Sequence, residues 1–143
     1  MKIKIHTTVD QSLEKVKAGF TSELFLKLNP PFPKVKLKQF DGCQTGDIVA
    51  LELNFLLAKQ NWISEIVEDA TSTGEWYFVD VGKEMPIFKS WRHKHLLTDK
   101  GGKTVITDDI SFQSPFIILD WLLYPLLYLQ FKYRGPIYRR AFG

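Results

Sequence analysis

Lys2 to Val9 alternates, with Ile3, Ile5, Thr7 and Val9 on one side and Lys2, Lys4 and His6 on the other. That is the period of a half-buried strand. The period then changes. Asp10 reads as the cap of a helix whose Leu13, Val16 and Phe20 share a face, and Thr21 or Ser22 restarts a second short helix through Leu24, Phe25 and Leu28. Asn29-Pro-Pro-Phe-Pro33 ends it, since consecutive prolines cannot continue a helix. From Lys34 to Gln113 the chain reads as strands separated by polar turns. Val35 and Leu37 alternate with lysines, and Ile48 to Phe55, Asn61 to Glu68 and Glu75 to Val81 follow. Ile87 to Leu97 and Lys103 to Phe112 come last, joined by Asp99-Lys-Gly-Gly102, a strong hairpin signal.

The final apolar run, Phe116 to Tyr133, is opened by Ser114-Pro115 and predicts one long helix. Wound at about 100° per residue, Ile117, Trp121, Tyr124, Tyr128 and Phe131 form an aromatic-rich stripe. Ile118, Leu122, Leu126, Leu129 and Tyr133 form a second, mostly aliphatic one. One stripe seats a helix on a core, so the other needs an apolar partner: a bound ligand, a second subunit or a membrane surface. Gly135-Pro136 is expected to break the helix before a tail holding Arg134, Tyr138, Arg139, Arg140 and Phe142. That tail reads either as a solvated helix end whose cations suit the dipole or as a contact with an anionic membrane surface.

Strand, two short helices, six strands and a long helix make an α+β chain with an antiparallel sheet. The last helix is the one element long enough to cover a face of that sheet, and a strongly curved sheet around it encloses space. At this point the sequence resembles a family. The order of elements, Phe88-Lys-Ser-Trp-Arg-His-Lys-His95 and Thr107-Asp-Asp-Ile-Ser-Phe-Gln-Ser-Pro115 are similar to the START-like or SRPBCC superfamily. Its members include plant pathogenesis-related (Bet v 1-like) allergens, lipid-transfer domains, polyketide cyclases and coenzyme Q-binding proteins. The likeness covers nearly the whole chain and is nearest to small bacterial members with a Trp-x-His-x-His strand. It implies a helix-grip fold, with a curved seven-stranded sheet wrapped around the C-terminal helix and residues 1–143 as a single domain. It leaves carrier and enzyme both open, because the superfamily holds both.

Composition narrows this picture. Hydrophobic residues at 45% and charged residues at 24% are ordinary for a globular chain, while aromatics at 14% are high enough to wall a cavity as well as fill a core. A net charge of +3, with no basic patch and no recognition motif, argues against nucleic acid as partner. Cys43, the single cysteine, rules out an internal disulfide and fits a reducing compartment. The N-terminus reads as a strand rather than a leader, and Asp120 and Pro125 interrupt the C-terminal run, so a cytoplasmic location is expected. No phosphate loop, dinucleotide fingerprint or nucleophile–base spacing is present, and no cofactor is expected.

The candidate chemistry sits on the last two strands. Trp91, His93, His95 and Leu97 share a face that Arg92 and Lys94 do not, so they are expected to point inward; Thr104, Ile106, Asp108, Ile110 and Phe112 do the same on the partner strand. Two imidazoles and a carboxylate on an apolar wall can orient a polar ligand head or move a proton near neutral pH. They can equally satisfy one another inside a core. His-x-His supplies only two metal ligands, and spacing fixes no third, so no metal is expected. Trp62, Trp76, Tyr77 and Phe78 are further wall candidates, and Asp80, on the face of Trp76 and Phe78, needs a partner if buried. The expected wall is Trp91, His93, His95, Asp108, Phe112, Trp121, Tyr124 and Tyr128, around a small hydrophobic or amphipathic ligand such as a lipid, isoprenoid or polyketide. An enzyme of cyclase or hydrolase type using His93 or His95 with Asp108 is the second reading. A homodimer or membrane-surface module is the third.

Overall fold

The computed structural model describes residues Met1–Gly143. Seven strands form one antiparallel sheet: β1 (Lys2–Val9), β2 (Lys34–Phe40), β3 (Ile48–Asn54), β4 (Lys59–Ser72), β5 (Glu75–Glu84), β6 (Ser90–Lys100) and β7 (Lys103–Gln113), in the spatial order β1-β7-β6-β5-β4-β3-β2. Strands β2 to β7 are a meander of neighbours, and β1 closes onto the far edge of β7. The tightest turn is the one the glycine pair signals. Lys100 pairs with Lys103, and Gly101 and Gly102 take φ of +66° and +89°, the two left-handed positions a two-residue hairpin requires. Strand β4 is longer than its apolar core suggests. It pairs with β5 as far as Ser72–Glu75, with bulges between Ile63 and Ser64 and between Ile66 and Glu68 that bend it.

Helices α1 (Leu13–Ala18) and α2 (Ser22–Leu28) sit between β1 and β2. The cap of α1 is Ser12, whose Oγ accepts from Lys15 N at 3.4 Å, and not Asp10, which extends the exit from β1. Thr21 caps α2, and Asn29-Pro30 stops it as expected.

The C-terminal run departs most from expectation. It is two helices, α3 (Ile117–Lys132) and α4 (Arg134–Phe142), meeting at Tyr133. Ser114 lies upstream of the helix start; its N–H donates to Asp120 Oδ1 at 2.6 Å while Phe116 occupies the cap position. Gly135 and Pro136 open α4 instead of ending α3. A proline in the first turn of a helix removes an N–H that has no intrahelical partner anyway. The tail is therefore no solvated end: Tyr138 and Phe142 are buried, with Arg139 and Arg140 outside.

Two apolar cores result. One gathers α1, α2 and α4 on the sheet through Val16, Phe20, Leu24, Phe78, Leu97, Ile106, Tyr138 and Phe142. The other seats α3 on β1, β6 and β7 through Ile3, Trp91, Ile110, Phe112, Leu127 and Phe131. Between them the sheet carries a buried polar cluster.

Candidate functional site

Strand register builds that cluster. Across β5 and β6, Phe78 stands opposite His95 and Asp80 opposite His93; across β6 and β7, His95 stands opposite Asp108. All four polar side chains point to the helix-covered face, and His93 and His95 are 3% and 2% exposed. The short hydrogen bonds run diagonally. His93 Nε2 lies 2.8 Å from Asp108 Oδ1, and His95 Nε2 lies 2.9 Å from Asp80 Oδ2. The direct neighbours are looser, at 3.8 Å for His93 Nδ1 to Asp80 Oδ2 and 3.9 Å for His95 Nδ1 to Asp108 Oδ1. Trp91 Nε1 donates to Asp80 Oδ1 at 3.3 Å, and Arg134 NH1 stands 3.5 Å from Asp108 Oδ1.

These contacts fix charge and tautomer. Burial by itself would raise both carboxyls, but their partners outweigh it. The His93 hydrogen bond and the Arg134 charge take Asp108 down to about 2, and the His95 hydrogen bond with the neighbouring imidazoles lowers Asp80. An ionised carboxylate only accepts, so each histidine donates from Nε2. Burial, reinforced by His93, pulls His95 down to about 4 against the pull of Asp80. His95 is thus a neutral imidazole whose Nδ1 is buried without a hydrogen-bond partner. The rings are packed from both sides: His95 stacks on Phe78 at 4.2 Å, and Phe131 meets His93 edge-on at 5.1 Å.

Above the cluster opens a cavity of about 590 Å³ between the sheet and α3. Of its 32 lining residues 22 are hydrophobic, and its acidic, basic and imidazole side chains are Asp80, His93, His95 and Arg134. Rows across the sheet form one wall, among them Leu37, Leu51 and Trp62, paired in register on β2, β3 and β4. Leu123, Leu126, Leu127 and Phe131 of α3 form the facing wall, and the segment from Phe25 to Pro33 forms part of the rim.

This architecture is shared with known structures. Superposition on TTHA0849 from Thermus thermophilus gives a TM-score of 0.72 at 11% identity, over 99% of this chain and 96% of that one. A START superfamily protein from Mycobacterium smegmatis gives 0.66 at 12% identity over 97% of each chain. Ara h 8.0201 gives 0.58 at 14% identity over 96% of this chain and 97% of that one. The fold is the START/Bet v 1-like helix grip. No family model matches the chain, and no curated protein matches its sequence. No helix of the chain is long and apolar enough to cross a membrane.

Within the helix grip the expected wall residues separate into three groups. Trp91, His93 and His95 line the cavity. Asp108 and Phe112 are buried beside it, Asp108 as the hydrogen-bond partner of a lining histidine. Trp121, Tyr124 and Tyr128 do not wall it: Trp121 is 69% exposed, and Tyr124 and Tyr128 stack on each other at 6.4 Å. The rotation of α3 is the reason. Asp120, Leu127 and Phe131 form its buried line, tied down by Asp120 to Ser114 N. At about 100° per residue the aromatic stripe falls on one flank of that line. Leu123, Leu126 and Gln130 fall on the other, and that flank faces the cavity. Ile118 and Leu122 remain exposed, while Leu129 and Tyr133 of the aliphatic stripe also line the cavity.

Sequence reading also left out two members of the site. Asp80 was legible as a buried acid in need of a partner; its partner is His95, visible only once β5 and β6 are in register. Arg134 looked like part of a basic tail, yet its side chain is 12% exposed and lies over the Phe131 ring at 4.3 Å beside Asp108. Of the other aromatic candidates, Trp62 and Phe78 line the cavity, Trp76 is core, and Tyr77 lies outside under Lys94.

Proposed function

We propose that the protein reversibly binds a small hydrophobic or amphipathic molecule in the cavity between sheet and α3, with the apolar body among Leu37, Leu51, Trp62 and Leu127 and a polar head toward Asp80, His93, His95 and Arg134. The observation that carries this reading is an apolar cavity of about 590 Å³ whose charged lining groups belong to one connected cluster. Cavities of some hundreds of Å³ with few convergent polar groups are the usual form of small-molecule sites. Affinity would come from apolar burial at ~25 cal/mol per Å², and head-group selection from the cluster. Lipid, isoprenoid and polyketide-like molecules fit this description. Native mass spectrometry of freshly purified protein tests it: a stoichiometric small molecule released on denaturation is the expected result, and bare protein that also fails to take up any long-chain probe counts against it.

Acid–base catalysis of cyclase or hydrolase type is the second reading, favoured by two cavity-lining imidazoles each oriented by a carboxylate. His93→Gln separates the two. A carrier keeps its affinity within about tenfold, whereas an enzyme loses turnover by roughly 100-fold or more.

A further inference from the structure

We propose that Asp80, His93 and His95 form a three-ligand site for a divalent transition-metal ion such as zinc, with its open coordination position facing the cavity. One donor atom from each residue lies within 4.8 Å of the others, and all three residues are buried while lining the cavity. They stand on adjacent strands, His93 and His95 two apart on β6 and Asp80 directly across from His93 on β5. This is the third ligand that spacing along the chain does not reveal. Two imidazoles and one carboxylate with a vacant position is the donor set of open zinc and ferrous sites. Metal–ligand bonds of about 2.1 Å place tetrahedral donors roughly 3.4 Å apart. The distances of 2.9 and 3.8 Å from Asp80 Oδ2 to the two histidines fall on either side of that spacing.

The surroundings are those of a metal site as well. Asp108 accepts from His93 Nε2 at 2.8 Å, which turns the other ring nitrogen, Nδ1, toward Asp80 at 3.8 Å. His95 Nδ1 is buried with no partner and lies 3.9 Å from the same Asp108 oxygen. If the ion takes His95 Nε2, the proton on that nitrogen moves to Nδ1; Asp108 backs His93 at hydrogen-bond distance, as outer carboxylates do in histidine-ligated sites, and reaches His95 only after an approach of about 1 Å. Two carboxylates against the single guanidinium of Arg134 leave negative charge in an apolar setting, which a cation offsets. The ligand set does not depend on the carrier reading, although a bound amphipathic molecule would meet the ion with its oxygen-bearing head.

The test is to strip the purified full chain with EDTA and titrate it with Co²⁺, reading visible absorption and then displacement by Zn²⁺. Expected is one saturable equivalent with a ligand-field band, unchanged in His6→Gln. Asp80→Asn and His93→Gln should weaken binding by more than about 100-fold, and Asp108→Asn by about 10–100-fold with the band retained. Zn²⁺ should raise the Tm of the wild type and not that of His93→Gln. No saturable uptake by the wild-type chain overturns the site, and needs no variant that must fold. Uptake undiminished in His93→Gln and His95→Gln also overturns it, leaving a closed hydrogen-bond network. A chain that takes up a long-chain probe but no cobalt sinks the metal site alone; the reverse result sinks the carrier alone.

Discussion

At the scale of single residues, the fold places ionisable groups where pH must act on stability. Burial, reinforced by His93, lowers His95 from the ordinary 6.5 to about 4 in the folded chain, against the pull of Asp80 and Asp108. On acidification the unfolded chain takes up that proton first. The stabilisation is therefore complete above pH 6.5 and drains away as pH falls toward 4, by roughly 3 kcal/mol. Asp108, lowered to about 2, adds a further loss below the ordinary range of an aspartate. Guanidinium midpoints measured from pH 7 to 4 should fall steadily in the wild type and stay flatter in His95→Gln; equal slopes would contradict this assignment. A second residue-scale expectation concerns Gly19, where a Cβ would stand 2.8 Å from Phe142 Cζ. Gly19→Ala should cost about 1–3 kcal/mol in chemical denaturation, because the ring of the final helix closes onto that glycine.

At the scale of elements, α3 shows how far a pattern can be read. Its apolar stripes were legible, and so was the long helical run, but which stripe faces the cavity was not. That choice depends on Asp120 reaching back to Ser114 N and on Leu127 and Phe131 entering the second core, contacts with no periodic signature. Gly135-Pro136 misled for a related reason: the same pair that stops a helix also opens one, and only the burial of Tyr138 and Phe142 decides. Strands β6 and β7, by contrast, were readable residue by residue, since alternation alone put Trp91, His93, His95 and Asp108 inside. Asp80 and Arg134 stayed apart from them in the reading because cross-strand and helix–sheet register carry no local signal. The rotation of α3 has a measurable consequence. Phe131→Ala should destabilise by about 3–5 kcal/mol, while Leu122→Lys on the outer face should stay within about 0.5 kcal/mol. Thermal melts of the two variants decide this, and similar losses would mean that α3 sits in another rotation.

At the scale of the whole molecule, the sheet and α3 do not fill the space between them. The two cores flank the polar cluster, and the cavity opens above it, so the chain keeps a void where a tightly packed domain would place side chains. A void of this kind costs stability, and a side chain that fills it should return some. Leu51→Trp, on the wall opposite α3, should therefore hold or raise the unfolding midpoint while excluding any occupant. The most direct measurement is a fluorescence titration of wild type and Leu51→Trp with 11-(dansylamino)undecanoic acid. The account predicts saturable one-to-one binding to the wild type and at least about a tenfold loss in Leu51→Trp with its fold intact. No saturable binding to the wild type, or equal affinity in the filled variant, would contradict it.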